Sequence, residues 1–225
     1  MKLVLMGTND FVVPMFERLA AGHDILAVYT AAPSPKGRKH VLTPSPVDVW
    51  ASGRAIPVHY DPSVFNYTPD YTVVVSYGEI LRSNVLNAAP CINIHPSDLP
   101  KYRGPSPIRT AIYNGDRQSA VCLIDVTSQL DAGDIHMRHE MVIGENETNA
   151  DIEAKVSQIG AAMLDEYLNA PENYPGIAQV GTPTFTHKFT GQDQIIHWDR
   201  GAQAIHNQIR ALGAGRTKID GIDVK

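Results

Sequence analysis

Short apolar runs alternate with longer amphipathic segments along the amino-terminal half of the chain. The run 71–78, YTVVVSYG, is β-branched or apolar almost throughout, and the run 2–7, KLVLMG, is apolar up to its closing glycine. Continuous apolar runs of this kind are typical of strands that are buried on both faces of a parallel sheet. Strands that alternate with helices predict an α/β fold with a Rossmann-like, mostly parallel sheet that is flanked by helices and joined by right-handed crossovers. The predicted strands are 2–7, 24–30, 56–60, 71–78 and 91–96, and the predicted helices are 11–22 and 45–54.

The carboxyl-terminal half follows a different pattern. The segment 119–143 predicts two strands around a turn that is centred on Asp131 and Gly133. Residues 148–170 have helical periodicity, and Thr148 or Asn149 is the expected N-cap. The other predicted elements are a helix over 105–116, a Pro-, Gly- and Thr-rich loop over 171–187, a helix over 198–213 and one half of a hairpin over 216–225.

The length of the chain fits one well-packed domain with a small appendage. The 225 residues have a mass of 24.6 kDa, which is enough for a single core of ordinary size. The order of the elements predicts one domain over 1–170, a linker over 171–190, and a short C-terminal extension over 191–225 that holds a helix and the remnant of a further domain.

Composition and charge exclude several classes of protein. Cys91 and Cys122 have no CxxC spacing, which argues against a disulfide scaffold and against a structural zinc site, and no metal site is expected. The chain has no apolar run long enough for a membrane span and no signal peptide, so a cytoplasmic location is expected. The net charge of −5 argues against a surface that coats nucleic acid but leaves room for a local basic loop.

Two polar residues interrupt the apolar strand that is predicted over 91–96. Alternate residues of a strand point to the same side, so Asn93 and His95 share one side while Ile92 and Ile94 point into the core. Strands of an open parallel sheet keep their active sites at the carboxyl end, which is where these two residues lie. Asn can donate a hydrogen bond to an oxyanion, and His can exchange a proton near neutral pH. Asp131 in the later turn supplies a carboxylate, although a turn Asp commonly just caps its own backbone.

The combination of these residues resembles the formyltransferases that use 10-formyltetrahydrofolate. That family carries an Asn-x-His pair, an SLLP-type loop and a later LDxGD, and here the three motifs stand at 93–95, 97–100 and 130–134. Within the family the resemblance is strongest to the branch that acts on methionyl-initiator tRNA, and it covers nearly the whole chain. The segments that carry this closer resemblance are MGTNDF at 6–11, TPSPV at 43–47, SYGEIL at 76–81, YRGPSPI at 102–108 and IIHWDRGAQAIHNQIRAL at 195–212.

The resemblance implies an enzyme with Asn93, His95 and Asp131 as its catalytic residues. An amine would attack the formyl carbon of 10-formyltetrahydrofolate, and Asn93 and His95 would stabilise the oxyanion that develops. Asp131 would orient His95 and assist proton transfer, and the reaction would need no metal.

The resemblance also assigns binding residues. The residues expected to bind the folate are Ser76, Tyr77, Gly78, Ile80, Leu81, Ser97, Asp98, Leu99 and Pro100. The residues expected to bind the acceptor are Thr8, Asn9, Phe11, Lys36, Gly37, Arg38 and Lys39. Asp98 replaces an apolar residue of the family loop, and its carboxylate faces either the folate, where it would weaken binding, or the solvent, where it is neutral. The turn at 6–11 is open to a second reading as a plain strand-to-helix turn.

The identity of the acceptor rests on the basic loop and on the end of the chain. The loop around Lys36, Arg38 and Lys39 matches the position of the tRNA-binding insertion of that branch, which favours methionyl-initiator tRNA and a role in translation initiation. The alternatives are a sugar-nucleotide N-formyltransferase that acts on a dTDP-amino-sugar, and a homologue that binds folate or RNA without catalysis. The family's C-terminal domain would begin near the end of this sequence, so only its start is expected in 191–225.

Overall fold

A twisted sheet organises the computed structural model, which describes residues 1–37 and 39–225. Its strands are β1 (Lys2–Gly7), β2 (Asp24–Tyr29), β3 (Ser34–Lys36), β4 (Val41–Thr43), β5 (Val58–His59), β6 (Tyr71–Val75), β7 (Cys91–His95), β8 (Gln118–Asp125), β9 (Ile135–Val142), β10 (Thr217–Ile219) and β11 (Ile222–Val224). Its helices are α1 (Val13–Gly22), α2 (Pro46–Ser52), α3 (Ser83–Leu86), α4 (Pro107–Asn114), α5 (Asn149–Asn169) and α6 (Ala202–Leu212).

The main sheet has seven strands within the described residues, in the order β5-β2-β1-β6-β7-β8-β9. The first five of these strands are parallel, while β8 pairs antiparallel with β7 and β9 pairs antiparallel with β8. This confirms the predicted α/β fold with a mostly parallel sheet. β7 is the last parallel strand, and its carboxyl end lies where the strand direction reverses between β7 and β8. The segment that follows β7 must therefore cross the end of the sheet.

The two faces of the sheet are covered differently. One face carries the larger apolar core, in which α1, α2, α4, α5 and α6 pack against residues such as Leu5, Val75 and Ile94. On the other face, α3 and the aromatic residues Phe65 and Tyr67 pack against β2, β1 and β6, and Phe65 stacks on Tyr29 of β2. The stretch of that second face above β7 and β8 is covered by loops instead of a helix, which leaves room there for a site.

Local signals account for the long helix. Thr148 is the N-cap of α5, because its hydroxyl accepts a hydrogen bond from the Asp151 amide while the Asp151 carboxylate accepts one from the Thr148 amide. This capping box selects Thr148 from the two predicted N-cap residues. No described helix combines the length and the hydropathy that a membrane span requires.

Two short elements were not predicted by the apolar pattern, and a third, the hairpin over 216–225, was predicted only in half. The basic loop contains a hairpin of β3 and β4, α3 forms a single turn after β6, and β10 and β11 form a complete two-stranded hairpin at the end of the chain. The strands of these hairpins are short and mostly exposed, so they lack the buried alternation by which a strand is recognised in a sequence.

Candidate active site

The candidate site lies on the loop-covered face, above the carboxyl end of β7. Ile92 and Ile94 are 0% and 1% exposed and point into the helix-covered core, as predicted. Asn93 and His95 therefore point to the opposite face, where Asn93 is half-buried and His95 is buried. β7 thus supplies two polar side chains on one face, at its carboxyl end, where its regular pairing in the sheet ends.

A backbone carbonyl fixes the protonation pattern of His95. The Nε2 atom of His95 lies 3.0 Å from the carbonyl oxygen of Tyr102, which can only accept a hydrogen bond. Nε2 therefore carries a proton, and Nδ1 is the ring nitrogen that gains or loses one. The ring is oriented before any ligand binds.

The turn that carries the Tyr102 carbonyl is held from within. Ser97 is fully buried, its hydroxyl donates a hydrogen bond of 2.6 Å to the Lys101 carbonyl, and its amide donates one of 3.0 Å to the His95 carbonyl. The buried thiol of Cys122 on β8 donates to the Ser97 carbonyl at 3.2 Å. The predicted folate residue Ser97 thus shapes the turn with its side chain.

Asp131 reaches His95 because the segment after β8 folds back over the sheet. We call residues 127–133 the Asp131 loop. The Oδ2 atom of Asp131 accepts a hydrogen bond of 2.7 Å from the Gly104 amide and lies 3.7 Å from His95 Nδ1. The carboxylate thus faces the one ring nitrogen that can change its protonation. Asp134, the other acidic residue of the motif, is exposed, and its carbonyl accepts from the Asp125 amide in the ladder.

Two glycines make this approach possible. A Cβ atom at Gly133 would lie 1.9 Å from the carbonyl oxygen of Asp125, so no side chain fits where the loop crosses β8. Gly104 has a φ of +113°, a region that L side chains rarely adopt, and a Cβ there would lie 2.8 Å from Thr186 Oγ1. Both glycines serve the position of the Asp131 carboxylate.

Asn93 keeps its side chain free. Within the described residues, the side-chain amide of Asn93 forms no hydrogen bond to protein. Asn93 lies beside His95 on the same face of β7. An amide in this state can donate to a ligand atom without first breaking a bond to the protein.

The predicted folate segment 76–81 lies at the carboxyl end of the neighbouring strand β6. Ser76 has a positive φ of 49°, and its hydroxyl accepts a hydrogen bond of 2.7 Å from the Asn9 amide. The Tyr77 hydroxyl is buried and has no hydrogen-bond partner among the described residues, and burial raises the pKa of Tyr77 to about 12. Ile80 is 87% exposed, while Leu81 is buried and Gly78 is exposed. One short segment therefore holds an exposed apolar side chain and a buried hydroxyl that has no partner among the described residues.

The second predicted folate segment, 97–100, places its charged residue away from that surface. Asp98 accepts a hydrogen bond of 2.7 Å from Nε of Arg138 on β9, and this contact, followed by the one to Glu140, raises the pKa of Arg138. Leu99 is buried against the β8 residues of the same face, and Pro100 is half-buried. Arg138 thus neutralises the carboxylate that replaces the apolar residue of the family motif.

The predicted acceptor residues fall into two groups. Thr8 and Asn9 follow β1, where Thr8 is half-buried and Asn9 is exposed, and Phe11 packs against the helix-covered core. Lys36, Gly37 and Lys39 lie on the exposed hairpin of β3 and β4, and Arg38 lies outside the described residues. The hairpin leaves the carboxyl end of β2, so it projects from the same end of the sheet as His95 and not from within the site.

The extended segment 177–186, which we call the strap, crosses the outside of the site. Its Thr184 and Thr186 exchange backbone hydrogen bonds with Arg103, from the Arg103 amide to the Thr184 carbonyl at 2.9 Å and from the Thr186 amide to the Arg103 carbonyl at 2.7 Å. Their hydroxyls accept from the Tyr102 and Ser106 amides. The strap therefore supports the stretch that carries both the Tyr102 carbonyl and the Gly104 amide.

The sequence did not reveal the backbone groups of the site. The Tyr102 carbonyl and the Gly104 amide hold His95 and Asp131, and neither has a side-chain signature beyond the glycine itself. Arg138 was missed as well, since an Arg on an alternating edge strand reads as an ordinary solvent-facing residue.

Comparisons with known proteins found one family model and several similar chains. A family model described as formyl transferase matches residues 1–168. A methionyl-tRNA formyltransferase from Anaplasma phagocytophilum is 38% identical over 226 residues, which cover 94% of this chain and 74% of that protein. A 4-N formyltransferase from Francisella tularensis has a TM-score of 0.78 at 16% identity, covering 99% of this chain and 95% of its own. An N-formyltransferase from Helicobacter canadensis, in complex with folinic acid and dTDP-3-aminofucose, has a TM-score of 0.74 at 22% identity, covering 94% of this chain and 80% of its own.

Proposed function

This chain belongs to the formyl transferase family, and on that premise we propose that it transfers the formyl group of 10-formyltetrahydrofolate to the amino group of methionyl-initiator tRNA. The observation that carries the chemistry is the His95–Asp131 pair, with 3.7 Å between Nδ1 and Oδ2, next to the side-chain amide of Asn93, which has no hydrogen-bond partner among the described residues. The acceptor follows from the relative named for methionyl-tRNA, whose similarity extends over 94% of the chain. This acceptor implies a cytoplasmic reaction.

The residues near β6 and β7 fit a folate. Its pterin ring is flat and has polar edges, so it needs an apolar surface with a hydrogen-bonding group beside it. Ile80 offers an exposed apolar side chain, and the Tyr77 hydroxyl is buried with no hydrogen-bond partner in the part of the chain that the structure describes. Because Arg138 pairs with Asp98, the loop 97–100 does not present an uncompensated negative charge to an anionic folate tail. We therefore propose that 76–81 and 97–100 hold the folate.

The chain's own groups divide the chemistry between them. When bound, the folate supplies the formyl carbon that the amine attacks; the bond between that carbon and the folate nitrogen breaks, and the proton that the amine loses is balanced by the one that the nitrogen of the released tetrahydrofolate gains. Asn93 can donate a hydrogen bond to the oxygen that gains negative charge in the transition state. His95 Nδ1 takes up or returns a proton while Nε2 stays bonded to the Tyr102 carbonyl. Asp131, fixed by the Gly104 amide, stabilises the ring when it is positively charged.

We propose that the basic hairpin, defined as residues 34–43, binds the phosphates of the tRNA. Lys36 and Lys39 are exposed on it, and the backbone pairing of β3 with β4 gives it a defined shape. Its base is fixed, because the Thr30 and Ser45 hydroxyls lie 2.6 Å apart in a buried hydrogen bond. Phosphate contacts of this kind position a nucleic acid without reading its sequence.

A second acceptor has support of its own. The Helicobacter canadensis structure, which has a TM-score of 0.74, contains dTDP-3-aminofucose together with folinic acid. An acceptor that is a sugar nucleotide with a free amino group is therefore the second candidate. Both candidates present a primary amine to the same formyl group.

One competition assay tests the proposal. The purified chain is offered 10-formyltetrahydrofolate with methionyl-initiator tRNA or with a dTDP-amino-sugar at matched concentrations, and the formylated product is identified by mass spectrometry. We expect formyl-methionyl-tRNA as the product with the higher kcat/KM. A higher kcat/KM for the amino-sugar would show that the amino-sugar, and not tRNA, is the acceptor. Transfer to neither would contradict the proposed reaction.

A further inference from the structure

We propose that Gln179 is a positioning residue that holds Asp131 in place from the strap. The inference rests on the proposed function, in which Asp131 faces His95. Gln179 lies in the stretch that the sequence predicts to be a linker, and the proposal gives this stretch a role in the rate of the reaction.

The amide of Gln179 bridges two parts of the site. Its Nε2 atom donates hydrogen bonds of 2.8 Å to the Asp131 carbonyl and 2.9 Å to the Gly133 carbonyl. Its Oε1 atom accepts hydrogen bonds of 2.6 and 3.2 Å from Nη2 and Nε of Arg103. Carbonyls only accept and a guanidinium only donates, so these partners allow one orientation of the amide.

The Asp131 loop depends on these contacts. Within the described residues, hydrogen bonds tie the loop to other segments only through the Gly104 amide and through Gln179. The Gly104 amide holds the carboxylate, and Gln179 holds the backbone of the same residue. Asp131 has a φ of 45°, in the left-handed region that residues with a side chain adopt uncommonly. Two hydrogen bonds at this point oppose the relaxation of that backbone.

The other end of the Gln179 amide is equally well held. The backbone of Arg103 pairs with Thr184 and Thr186 of the strap itself, so the guanidinium that orients Gln179 belongs to a stretch that the strap supports. Tyr102 and Gly104, which contact His95 and Asp131, flank Arg103. Gln179 thus joins the loop that carries Asp131 to the loop that orients His95.

Two variants of Gln179 separate its donors from its acceptor. Gln179→Ala removes both functions, while Gln179→Glu keeps an oxygen for Arg103 but loses the two N–H donors to the carbonyls. We expect each variant to lower kcat by about tenfold or more, since small displacements of reacting groups have effects of this size, and to change the KM for 10-formyltetrahydrofolate by less than about twofold. A normal kcat for Gln179→Glu would show that the donors to the Asp131 loop are not needed and would overturn the proposal.

A double-mutant cycle distinguishes positioning from general stability. If Gln179 acts through Asp131, then Gln179→Ala should lower kcat by less than about threefold in an Asp131→Asn background, because groups that act as a unit are not additive. The same fold-loss in both backgrounds would mean that Gln179 only supports the fold, which would contradict the inference. Gln192→Ala is the matched control, because Gln192 is exposed on the chain that follows the strap, outside the site.

Hydrogen exchange tests the contact without any reaction. In Gln179→Ala we expect faster amide exchange in a peptide that covers 127–134 and unchanged exchange in peptides from α5 and β6, whereas Gln192→Ala should change none of them. Unchanged exchange in 127–134 would overturn the inference. If no acceptor is formylated, the proposed function fails in the wild-type protein, and the exchange result still decides whether Gln179 holds the Asp131 loop.

Discussion

The site around His95 and the basic hairpin lie at the same end of the sheet, but the hydrogen bonds that support them differ. His95 and Asp131 are fixed by hydrogen bonds from the 95–104 turn and from the strap, and His95 is 4% exposed. Within the described residues, the basic hairpin forms hydrogen bonds only to itself, and its lysines are exposed. In the proposed reaction, the catalytic groups are therefore positioned before substrate binds, while the proposed acceptor surface is a separate arm. Changes in the first region should lower kcat, and changes in the second should raise the KM of the acceptor.

The largest expected effect comes from the paired groups. His95→Ala and Asp131→Asn should each lower kcat by about 10²- to 10⁴-fold, the range of general acid–base catalysis, because each removes a partner in proton transfer. Steady-state formylation measures this, and Asp134→Asn, an exposed carboxylate of the same motif, is the matched control. Near-normal turnover in a folded His95→Ala or Asp131→Asn protein would remove the residue from the proposed mechanism.

Asn93→Ala should follow with a loss of about 10²- to 10³-fold in kcat, the effect of removing one oxyanion donor. The KM for 10-formyltetrahydrofolate should stay nearly constant, because the donor acts on charge that develops in the transition state. Asn146→Ala, at an exposed position far along the chain, is the control. Equal changes in kcat and in folate affinity would assign Asn93 to ground-state binding instead.

The basic hairpin should give a smaller effect of a different kind. Replacing Lys36, Arg38 and Lys39 by alanine should raise the KM for tRNA about tenfold, leave the KM for the folate unchanged, and flatten the dependence of log(kcat/KM) on log[salt] by about 0.7–1 unit for each lost phosphate contact. A salt series with wild-type and variant measures this, with the exposed Lys188→Ala as control. An unchanged salt slope would exclude the hairpin from tRNA binding and would favour the sugar nucleotide.

The smallest expected effect belongs to Asp98. Asp98→Asn should change the KM for the folate by less than about twofold and lower the free energy of unfolding by less than about 1 kcal/mol, because its ion pair with Arg138 is solvent-exposed. Folate kinetics and a denaturant titration measure the two quantities. A tenfold fall in that KM would show that the carboxylate opposes the folate directly, the alternative that the sequence left open.

The sequence predicted those parts of the structure that depend on side-chain pattern. The buried runs of β1 and β6 were identified because both faces are apolar, and the period of two placed Asn93 and His95 on one side of β7. The fold of the basic hairpin was not predicted, since its strands bury nothing.

The rest of the site could not be predicted because it depends on backbone groups and on contacts between distant segments. The Tyr102 carbonyl and the Gly104 amide are common to every residue type and leave no mark in a sequence. Gln179 stands in a stretch rich in proline, glycine and threonine, a composition that is typical of linkers, and its partners are 46 and 48 residues away. Only the folded chain brings a lone glutamine to the carbonyls of the Asp131 loop.

The hydrogen bond between His95 Nε2 and the Tyr102 carbonyl also limits the path of a proton. A histidine can relay a proton from one ring nitrogen to the other when an acid lies beside one nitrogen and a base beside the other. A peptide carbonyl accepts a hydrogen bond but does not take up the proton, so His95 does not pass a proton on through Nε2. A proton that arrives at Nδ1 must depart from Nδ1, on the side of Asp131. In the proposed mechanism, His95 therefore exchanges protons only at Nδ1, so two proton transfers in one turnover must occur there one after the other.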